Sequence, residues 1–531
     1  MPKILNIELK GSQLWRLSIA LAGGVLMGLT PAPLNAWPLA WIALIPLWNL
    51  ALQVAPENRR ERLLLGLAWG VGYHGLAISW ITGVHPMTWM GVPWLASLAI
   101  ALFCWVFLTL WGAVLVATWA AIWGWLTQKA KLSLGIRLVV GVALWCGLES
   151  LWSLGPLWWT SVSYTQSPHN LAVLHLGQLS GPMTITAAVV AVNGLLAEAW
   201  ASYRRSRQGQ SPDKRSRKLA IAPLVTAIAL FVGLHLAGWH LASRALVSPP
   251  EAALKIGIIQ GNIPNEIKLD VQGWRRALDG YTTGYNQLAE QGVAAVLTPE
   301  GALPFLWSGS NLTQSSFYQA VRDRGVVAWV GAFGQKGRSI TNSLFTVLGN
   351  GEILSRYDKV KLVPLGEYIP FENILGRLID RLSPLDAHML PGATGQLFET
   401  PFGRAIAGIC YESAFAEHFR WQAAQGGQFI LSASNDAHYS PAMTAQHHAQ
   451  DVMRAIETDR WVARATNTGY SGIIDPHGRT QWLSGLNVYQ LHADNIYRRQ
   501  TQTLFVRWGD WFTPLLGTLA IILGLNGWHR R

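Results

Sequence analysis

The chain has 531 residues, of which 50% are hydrophobic and 13% are charged, and its mean hydropathy is +0.23. These values exclude an ordinary soluble domain, in which about 25% of residues are charged. The formal net charge is +12, but the basic residues lie in short loops between apolar runs and form no RNA- or DNA-reading motif, so we expect no nucleic-acid partner. The composition therefore predicts a membrane protein.

Seven apolar runs long enough for transmembrane helices fill the first part of the chain. A helix needs about 17 to 25 apolar residues to cross a bilayer. The runs lie at roughly 14–30, 37–54, 63–82, 93–125, 136–153, 179–200 and 219–241, and an eighth lies near 510–527. The fourth is longer than one crossing requires but contains no turn or charge at which to divide it, so it predicts one long, tilted helix. We expect the first run to be an uncleaved anchor, because the chain continues directly into further spans.

The charges of the connecting segments predict the orientation in the membrane, because Lys and Arg concentrate in cytoplasmic loops. Basic residues precede the first run and occur in the second, fourth and sixth loops, and the sixth has seven of them between Arg204 and Lys218. The first, third and fifth loops have none. Both termini are therefore predicted to be cytoplasmic, and the segment between spans seven and eight is predicted to face the bacterial periplasm.

Residues 252–506 follow a different pattern, in which short β-rich runs alternate with polar helices. Strands are predicted at 254–260, 293–299, 326–333, 341–348, 352–359, 404–410, 428–434 and 461–467, and helices near 271–291, 313–323 and 443–458. Alternation of this kind is typical of an α/β domain with sheets covered by helices. The chain thus divides into transmembrane helices one to seven in residues 1–243, an outer domain in 252–506, and helix eight with a cytoplasmic tail in 508–531.

Chemically active side chains lie at the ends of three predicted strands: Glu300 in LTPEGALP, Lys359 in YDKVK and Cys410 in GICYES. A single cysteine is often only a small buried hydrophobe. Cys410 nevertheless lacks a disulfide partner in an oxidising compartment, since Cys104 and Cys146 fall in predicted spans, and a free thiol there suits a nucleophile. A nucleophilic thiol needs a base and a cation for the oxyanion. Glu300 and Lys359 could supply them, although each alone also suits a solvated strand end.

The order glutamate, lysine, cysteine resembles the catalytic triad of the nitrilase, or carbon-nitrogen hydrolase, superfamily. The phrases QGNIP (260–264), TPE (298–300), KLVPLGEYIPFE (361–372), ICYE (409–412) and SNDA (434–437) occur in the order found in members that carry flanking membrane spans. The resemblance covers essentially the whole chain. It implies a multi-pass α-helical membrane domain of about eight spans and a nitrilase-like αββα sandwich domain.

The resemblance also assigns roles to residues of the outer domain. It implies Glu300 as general base, Lys359 in the oxyanion site and Cys410 as nucleophile. The supporting residues it implies are Glu367 and Glu412, as carboxylates near the triad, Tyr411, whose backbone N–H would be a second oxyanion donor, and Asn435, which would orient the site.

Some of these assignments carry alternatives or departures from the family pattern. Asn435 would equally suit a turn. His438 stands where an aromatic residue is expected after SNDA, and Leu269 stands where relatives often have Trp. Both departures concern contacts with lipid rather than the chemistry.

The function implied by the resemblance is acyl transfer in the last step of bacterial lipoprotein maturation. The donor would be a membrane phospholipid, and the acceptor the α-amine of an S-diacylglyceryl cysteine at the N-terminus of an apolipoprotein, in a ping-pong reaction through a thioester on Cys410. We expect a monomeric enzyme of the inner membrane with its catalytic domain in the periplasm. Loops 301–316 and 364–395 are expected to form a lid.

No cofactor is expected, because no Gly-rich phosphate loop occurs. No metal is expected either, because His438, His447 and His448 lack ligand spacing such as HExxH. Two other functions remain open from the sequence. One is a membrane-tethered amidase or nitrilase that acts on a small nitrogen compound without lipid. The other is a transporter or scaffold whose outer domain only binds, which the scarcity of paired charges in the spans disfavours.

Overall fold

The first half of the chain is helical in the computed structural model, which describes residues 11–207, 214–308, 310–364, 366–368 and 389–529. The α-helices before the outer domain are α1 Gly11–Gly28, α2 Ile45–Gln53, α3 Arg59–Ala77, α4 Trp94–Lys129, α5 Leu134–Ser153, α6 Leu171–Leu174, α7 Gly177–Ser180, α8 Pro182–Arg207 and α9 Lys214–Ala242. Short 3₁₀ helices at Trp37–Trp41, Ser79–Val84, Thr88–Met90 and Val162–Gln166 lie between them.

Four helices among the described residues are long and apolar enough to cross a membrane: Trp94–Lys129, Leu134–Ser153, Pro182–Ser206 and Ile221–Ala242. The 36-residue α4 is one continuous helix, as its sequence predicts; at 1.5 Å per residue it is about 54 Å long, more than a hydrocarbon core of about 30 Å requires. The apolar window of α8 is 78% buried, whereas that of α9 is 17% buried. The helix α8 therefore lies inside the bundle, and α9 exposes its apolar surface.

Two of the predicted spans are interrupted next to a proline. The run at 37–54 is divided between the 3₁₀ helix Trp37–Trp41 and α2, and each of the two pieces has a proline in its first turn. The run at 179–200 is interrupted at Gly181, where φ is 77°, before Pro182 starts α8. Proline has no N–H to continue a helical ladder and disfavours the helical conformation in the residue before it. The count of eight spans therefore stays a prediction.

The outer domain consists of two β-sheets. Its strands are β1 Ala253–Gln260, β2 Ala295–Leu297, β3 Leu303–Leu306, β4 Val327–Lys336, β5 Ser339–Val347, β6 Ile353–Asp358, β7 Ile406–Ile409, β8 Ile430–Ser434, β9 Val462–Thr466, β10 Gly472–Ile474, β11 Thr480–Leu483 and β12 Gln490–Tyr497. The first sheet has the order β12-β1-β2-β4-β5-β6, with β3 paired to β4, and the second has the order β11-β10-β9-β8-β7. Both sheets mix parallel and antiparallel pairs.

Helices cover both faces of this pair of sheets. From residue 252 to residue 508 the described α-helices are α10 Asn265–Lys268, α11 Val271–Glu290, α12 Ser310–Thr313, α13 Ser316–Arg324, α14 Ala416–Ala424, α15 Pro441–Thr458 and α16 Leu504–Trp508. The last helix, α17 Phe512–His529, packs against α5 of the membrane half. Leu297 and Trp329 of the first sheet share an apolar core with Leu431 and Ala463 of the second, and α11 and α13 pack on the outer face of the first sheet. The arrangement is the αββα sandwich that the resemblance implies.

The helix α15 connects the sandwich to the membrane helices. Its residues Val452 and Ile456 belong to one buried cluster with Ile430 of β8 and with Ile185 and Val189 of α8. Because apolar burial is the main stabilising contribution in such a contact, the second sheet, α15 and the helical bundle form one continuous packed body.

Candidate active site

Glu300, Lys359 and Cys410 follow the ends of three different strands and meet at one edge of the sandwich. Glu300 comes three residues after β2, Lys359 directly after β6 and Cys410 directly after β7. Cys410 has φ of +51°, a conformation that is uncommon for a residue with a side chain and must be held by its surroundings. The short helix Cys410–Ala414 begins at this residue.

A buried ammonium lies between two carboxylates in this site. The Lys359 Nζ is 2.9 Å from Glu300 Oε1 and 2.9 Å from Glu367 Oε1, and the lysine is 1% exposed. The amide of Asn342 donates to the same two carboxylate oxygens, at 2.7 and 2.8 Å. The backbone N–H of Asn435 donates to the other oxygen of Glu300 at 2.9 Å. These contacts fix the Glu300 carboxylate and the ammonium relative to each other.

The charges of this cluster shift its pKa values in different directions. Burial raises the pKa of Glu300, but the charges of Lys359 and Lys268 and the hydrogen bonds outweigh it and hold the net pKa below its usual range. Burial raises the pKa of Glu367, and the neighbouring Glu300 adds to that effect. Burial lowers the pKa of Lys359, yet the two carboxylates raise it well above its usual range. Glu300 is therefore the ionised carboxylate and Lys359 stays an ammonium.

The thiol of Cys410 is protonated in the resting site. Burial raises its pKa well above the usual range, the charge of Glu300 raises it further, and Lys359 only partly opposes them. A preformed thiolate is therefore absent at neutral pH. Because the thiolate is the nucleophilic form, removal of the proton must accompany attack on a carbonyl, and an ionised carboxylate is the group to accept it.

Glu412 holds the loop of the thiol against the loop of the lysine. Its carboxylate accepts from the backbone N–H of Val360 at 2.7 Å, of Lys361 at 3.1 Å and of Ile409 at 2.8 Å. The hydroxyl of Tyr357 lies 2.9 Å from both carboxylate oxygens. Residues 360 and 361 directly follow Lys359 and Ile409 precedes Cys410, so this fully buried carboxylate sets the spacing of the two chain segments.

The side chain of Tyr411 attaches the thiol loop to the membrane half. Its hydroxyl, which has one hydrogen to donate, lies 2.7 Å from the carbonyl oxygen of Pro156 and 2.8 Å from that of Trp158. Its ring stacks on Trp159 with centroids 6.1 Å apart and an interplanar angle of 11°. The hydroxyl of Tyr164 donates to the carbonyl of Ala414 at 2.7 Å. The segment between α5 and α6 therefore supports the nucleophile directly.

Asn435 belongs to a chain of amides on the opposite side of Glu300. Its Nδ2 donates to Asn265 Oδ1 at 3.2 Å, and its Oδ1 accepts from Asn467 at 3.0 Å. Asn265 also bonds to His438, whose ring stacks on Trp89 at 6.2 Å. The histidine at position 438 thus contacts both the amide chain and the segment between α3 and α4 of the membrane half. Leu269 is 36% exposed.

The two predicted lid loops are described unequally. Residues 301–308 and 310–316 are described, and they contain β3, α12 and the start of α13 rather than an irregular loop. Residues 365 and 369–388 of the second loop lie outside the described residues, so the lid stays a prediction.

Four residues that contact Glu300, Lys359 or Cys410 in the structure were given no role in the site from the sequence: Asn342, Lys268, Asp436 and His447. Asn342 could have been found from the hairpin register, because Ser343 pairs with Asp358 and so places Asn342 next to Lys359. Lys268 donates to the carbonyl of Glu300 at 3.2 Å; burial lowers its pKa to about 8, although Glu300 and Cys410 raise it. No spacing pattern in the sequence predicts that Lys268 lies in this site.

The other two, Asp436 and His447, lie beside Cys410, and the three side chains bring potential metal ligand atoms within 4.8 Å of one another. The ring nitrogens of His447 are already engaged: Nδ1 lies 3.1 Å from Asp436 Oδ1, and Nε2 lies 2.8 Å from the carbonyl oxygen of Cys410. We therefore describe the set as a hydrogen-bonded cluster.

An αββα sandwich with a buried Glu-Lys-Cys cluster, packed on apolar helices, defines a membrane-bound member of the carbon-nitrogen hydrolase class. Residues 255–488 match the carbon-nitrogen hydrolase family, and residues 23–195 match the apolipoprotein N-acyltransferase N-terminal domain. An apolipoprotein N-acyltransferase from Nostoc sp. is 60% identical over 94% of this chain and 97% of its own length. One from Synechocystis sp. is 50% identical over 94% of this chain and 98% of its own. The chain belongs to the apolipoprotein N-acyltransferase family.

Among solved structures, an amidase from Nesterenkonia sp. is 21% identical to this chain, with a TM-score of 0.35, over 49% of this chain and 95% of its own.

Proposed function

We propose that this chain is an acyltransferase that moves an acyl chain from a membrane phospholipid to the N-terminal α-amine of an S-diacylglyceryl-cysteine apolipoprotein. This reaction is the last step of bacterial lipoprotein maturation. Two relatives that match over nearly their whole length, at 60% and 50% identity, are apolipoprotein N-acyltransferases by name. One structural observation supports the proposal most directly: the buried thiol beside a lysine–carboxylate cluster lies on a loop that Tyr411 bonds to the membrane half.

In the first half-reaction, Cys410 attacks the ester carbonyl of the phospholipid while Glu300 accepts the thiol proton. A sulfur–carbon bond forms, and the negative charge that develops on the carbonyl oxygen is stabilised by the Lys359 ammonium and the backbone N–H of Tyr411. The tetrahedral species then breaks its carbon–oxygen bond to the glycerol. Glu300 returns the proton to that oxygen, and lysophospholipid leaves an acyl thioester on Cys410.

In the second half-reaction, the α-amine of the apolipoprotein attacks the thioester. Glu300 accepts a proton from the amine, the carbon–sulfur bond breaks, and the sulfur recovers a proton as the amide forms. The resting enzyme is thereby restored. Ping-pong order suits two lipid substrates that share one thiol, because the first product leaves before the second substrate enters.

The roles of the remaining residues follow from their contacts. Glu367 would share the Lys359 ammonium with Glu300 and keep it charged. Glu412 would hold the lysine and thiol segments in register, and Asn435 would orient the Glu300 carboxylate through its backbone N–H. These residues act by fixing geometry, to which reactions of this type are sensitive at the level of about 1 Å.

The membrane half explains how a water-facing domain could use lipid substrates. Acyl chains can remain in hydrocarbon only if the thiol lies near the bilayer surface, and a thioester must be shielded from water to avoid hydrolysis. We propose that residues 1–243 and 508–531 hold the domain of residues 252–506 at the periplasmic face of the inner membrane, and that one chain suffices as a monomer. The small-amide alternative is not favoured, because it needs no membrane half.

The direct test is a two-substrate assay with purified full-length protein in vesicles of acyl-labelled phospholipid and a synthetic diacylglyceryl-cysteine lipopeptide. We expect equal amounts of lysophospholipid and labelled amide. The matched control lipopeptide has an acetylated α-amine and should receive no label. Transfer of label to the acetylated peptide, or hydrolysis of small primary amides without lipid at a rate above acyl transfer, would refute the proposal.

A further inference from the structure

His447, a buried residue of α15, lies against the peptide bond that follows the nucleophile. Its Nε2 is 2.8 Å from the carbonyl oxygen of Cys410, and its Nδ1 is 3.1 Å from Asp436 Oδ1. Both His447 and Asp436 are almost completely buried, at 0% and 4% exposure. The mechanism above uses neither residue.

The carbonyl of Cys410 determines which ring nitrogen carries a hydrogen. A peptide carbonyl oxygen can only accept a hydrogen bond, so the Nε2 of His447 must donate to it. The other ring nitrogen lies against Asp436, which orients the ring.

Two further side chains hold Asp436 in place beside the ring. Arg464 contacts Asp436 Oδ2 at 3.3 Å and Asp451 Oδ2 at 2.7 Å. The hydroxyl of Thr444 donates to Asp436 at 2.7 Å. The carboxylate that orients His447 is thus paired with a buried guanidinium, as a buried charge requires.

The peptide that His447 contacts also carries the N–H of Tyr411. In a planar trans peptide the carbonyl oxygen and the amide hydrogen point in opposite directions. A hydrogen bond that fixes the carbonyl of Cys410 therefore fixes the direction of the Tyr411 N–H. A hydrogen bond to the carbonyl also polarises the peptide and makes its N–H a stronger donor.

The outer segment of the membrane half holds the ring in place. The ring of Trp159 meets the His447 ring edge-on, with centroids 5.9 Å apart and an interplanar angle of 65°. The indole N–H of Trp159 donates to Gln446, at 2.7 Å, and Gln446 donates to the carbonyl of Ala77, at 2.8 Å. The position of the His447 ring is thus fixed by the sandwich and by the membrane helices together.

We propose that His447 is a positioning residue for acyl transfer, whose Nε2–H anchors the carbonyl of Cys410 and so aims and polarises the Tyr411 N–H toward the oxyanion of the ester. The inference rests on the proposed function. It assigns to the cluster of His447, Asp436 and Arg464 the role of preorganising one of the two oxyanion donors.

The test compares His447→Gln, which retains a neutral donor, and His447→Leu, which removes it, with the control His448→Gln. His448 is the next residue on the same helix and is also buried, but its Nε2 contacts Thr480 at 3.0 Å. Two reactions of Cys410 are measured for each variant: thioester formation from phospholipid vesicles, by quenched-flow intact mass spectrometry, and alkylation by iodoacetamide. Alkylation consumes the same thiol but forms no oxyanion.

Loss of one oxyanion donor typically costs about 10²–10³ in rate. We therefore expect thioester formation to fall roughly 100-fold in the leucine variant and about 10-fold in the glutamine variant, because the latter only weakens the donor. The phospholipid concentration for half-maximal rate and the alkylation rate should change by no more than about 3-fold. The His448→Gln control should match the wild type in both reactions.

Other results of this experiment would contradict either the role of His447 or the proposed function. Normal thioester formation in His447→Gln and His447→Leu overturns the inference, and so do equal losses in thioester formation and alkylation, which indicate a displaced thiol. Should the leucine variant not fold, the glutamine variant decides. A wild-type protein that forms no thioester refutes the proposed function itself, and the inference falls with it.

Discussion

The substitution Glu412→Gln tests whether the spacing between the lysine and the thiol is set by one buried carboxylate. The carboxylate accepts three backbone N–H groups and contacts the hydroxyl of Tyr357. An amide of the same shape can keep its oxygen toward Val360 and Lys361, but its NH₂ group then faces the N–H of Ile409. One charge-assisted hydrogen bond is lost, worth about 1.5–3 kcal/mol, and a buried donor is left unpaired at a cost of about 1–3 kcal/mol.

We expect the free energy of unfolding to fall by roughly 3 kcal/mol, because the amide avoids part of the cost of burying a charge. For a domain of this size that corresponds to a decrease in Tm of about 6–12 °C. Thioester formation should fall roughly 100-fold, since displacement of catalytic groups by about 1 Å has an effect of that size. Thermal unfolding followed by tryptophan fluorescence and quenched-flow mass spectrometry measure the two quantities.

Glu417→Gln is the matched control. Its side chain is 65% exposed and contacts only Arg420 among the described ion pairs, so its loss should change stability by no more than about 0.5 kcal/mol. If Glu412→Gln resembles this control in both measurements, the carboxylate does not set the spacing and the reasoning is refuted.

Three further predictions concern the other groups of the site. The rate of Cys410 alkylation should still rise above pH 9, and Glu300→Gln should move its midpoint to lower pH because a negative charge that raises the thiol pKa is gone; an opposite shift would contradict the charge assignment. Glu367→Gln should lower the pKa of Lys359 and slow thioester formation about 10-fold. Glu300→Gln removes the general base and should slow it more, by about 10²–10⁴-fold. Equal losses in the two variants would indicate that Glu367 is a second base. Tyr411→Phe keeps the backbone N–H, so thioester formation should stay within about 3-fold while stability falls by about 1–2 kcal/mol; a loss as large as that of Glu300→Gln would show that the hydroxyl takes part in the chemistry.

The sequence predicts the three central site residues because each lies at the end of a strand, where the apolar pattern of the strand stops. Glu300, Lys359 and Cys410 interrupt β-rich runs with a charge or a thiol, and the structure brings their strand ends to one edge. The helices α11, α13 and α15 and the strands β1, β2 and β4 to β9 are predictable from the sequence because their periodicity is local, whereas β3 and β12 were not predicted.

Long-range contacts are not visible in the same way. Nothing local to His447 or Asp436 indicates that they meet at the carbonyl of Cys410, because the two residues and the nucleophile lie on separate elements. The same holds for Lys268. Glu412 was expected near the triad, but its function as a clamp depends on N–H groups more than 50 residues away in the chain.

In the membrane half, hydropathy averaged over a whole apolar run does not reveal where the helix is interrupted within that run. Pro46 at the start of α2 and Gly181-Pro182 before α8 divide runs that are apolar enough to be read as single spans. The turn chemistry of these residues was present in the sequence and is the better guide to where such helices begin.

The most direct measurement is the intact mass of purified full-length protein after incubation with phospholipid vesicles and no acceptor, with wild type and Cys410→Ser compared. We predict one added acyl mass on the wild type, released by hydroxylamine, and none on the serine variant under the same treatment. A folded wild-type protein that gains no acyl mass, yet releases lysophospholipid when the lipopeptide is added, would contradict the covalent route through Cys410.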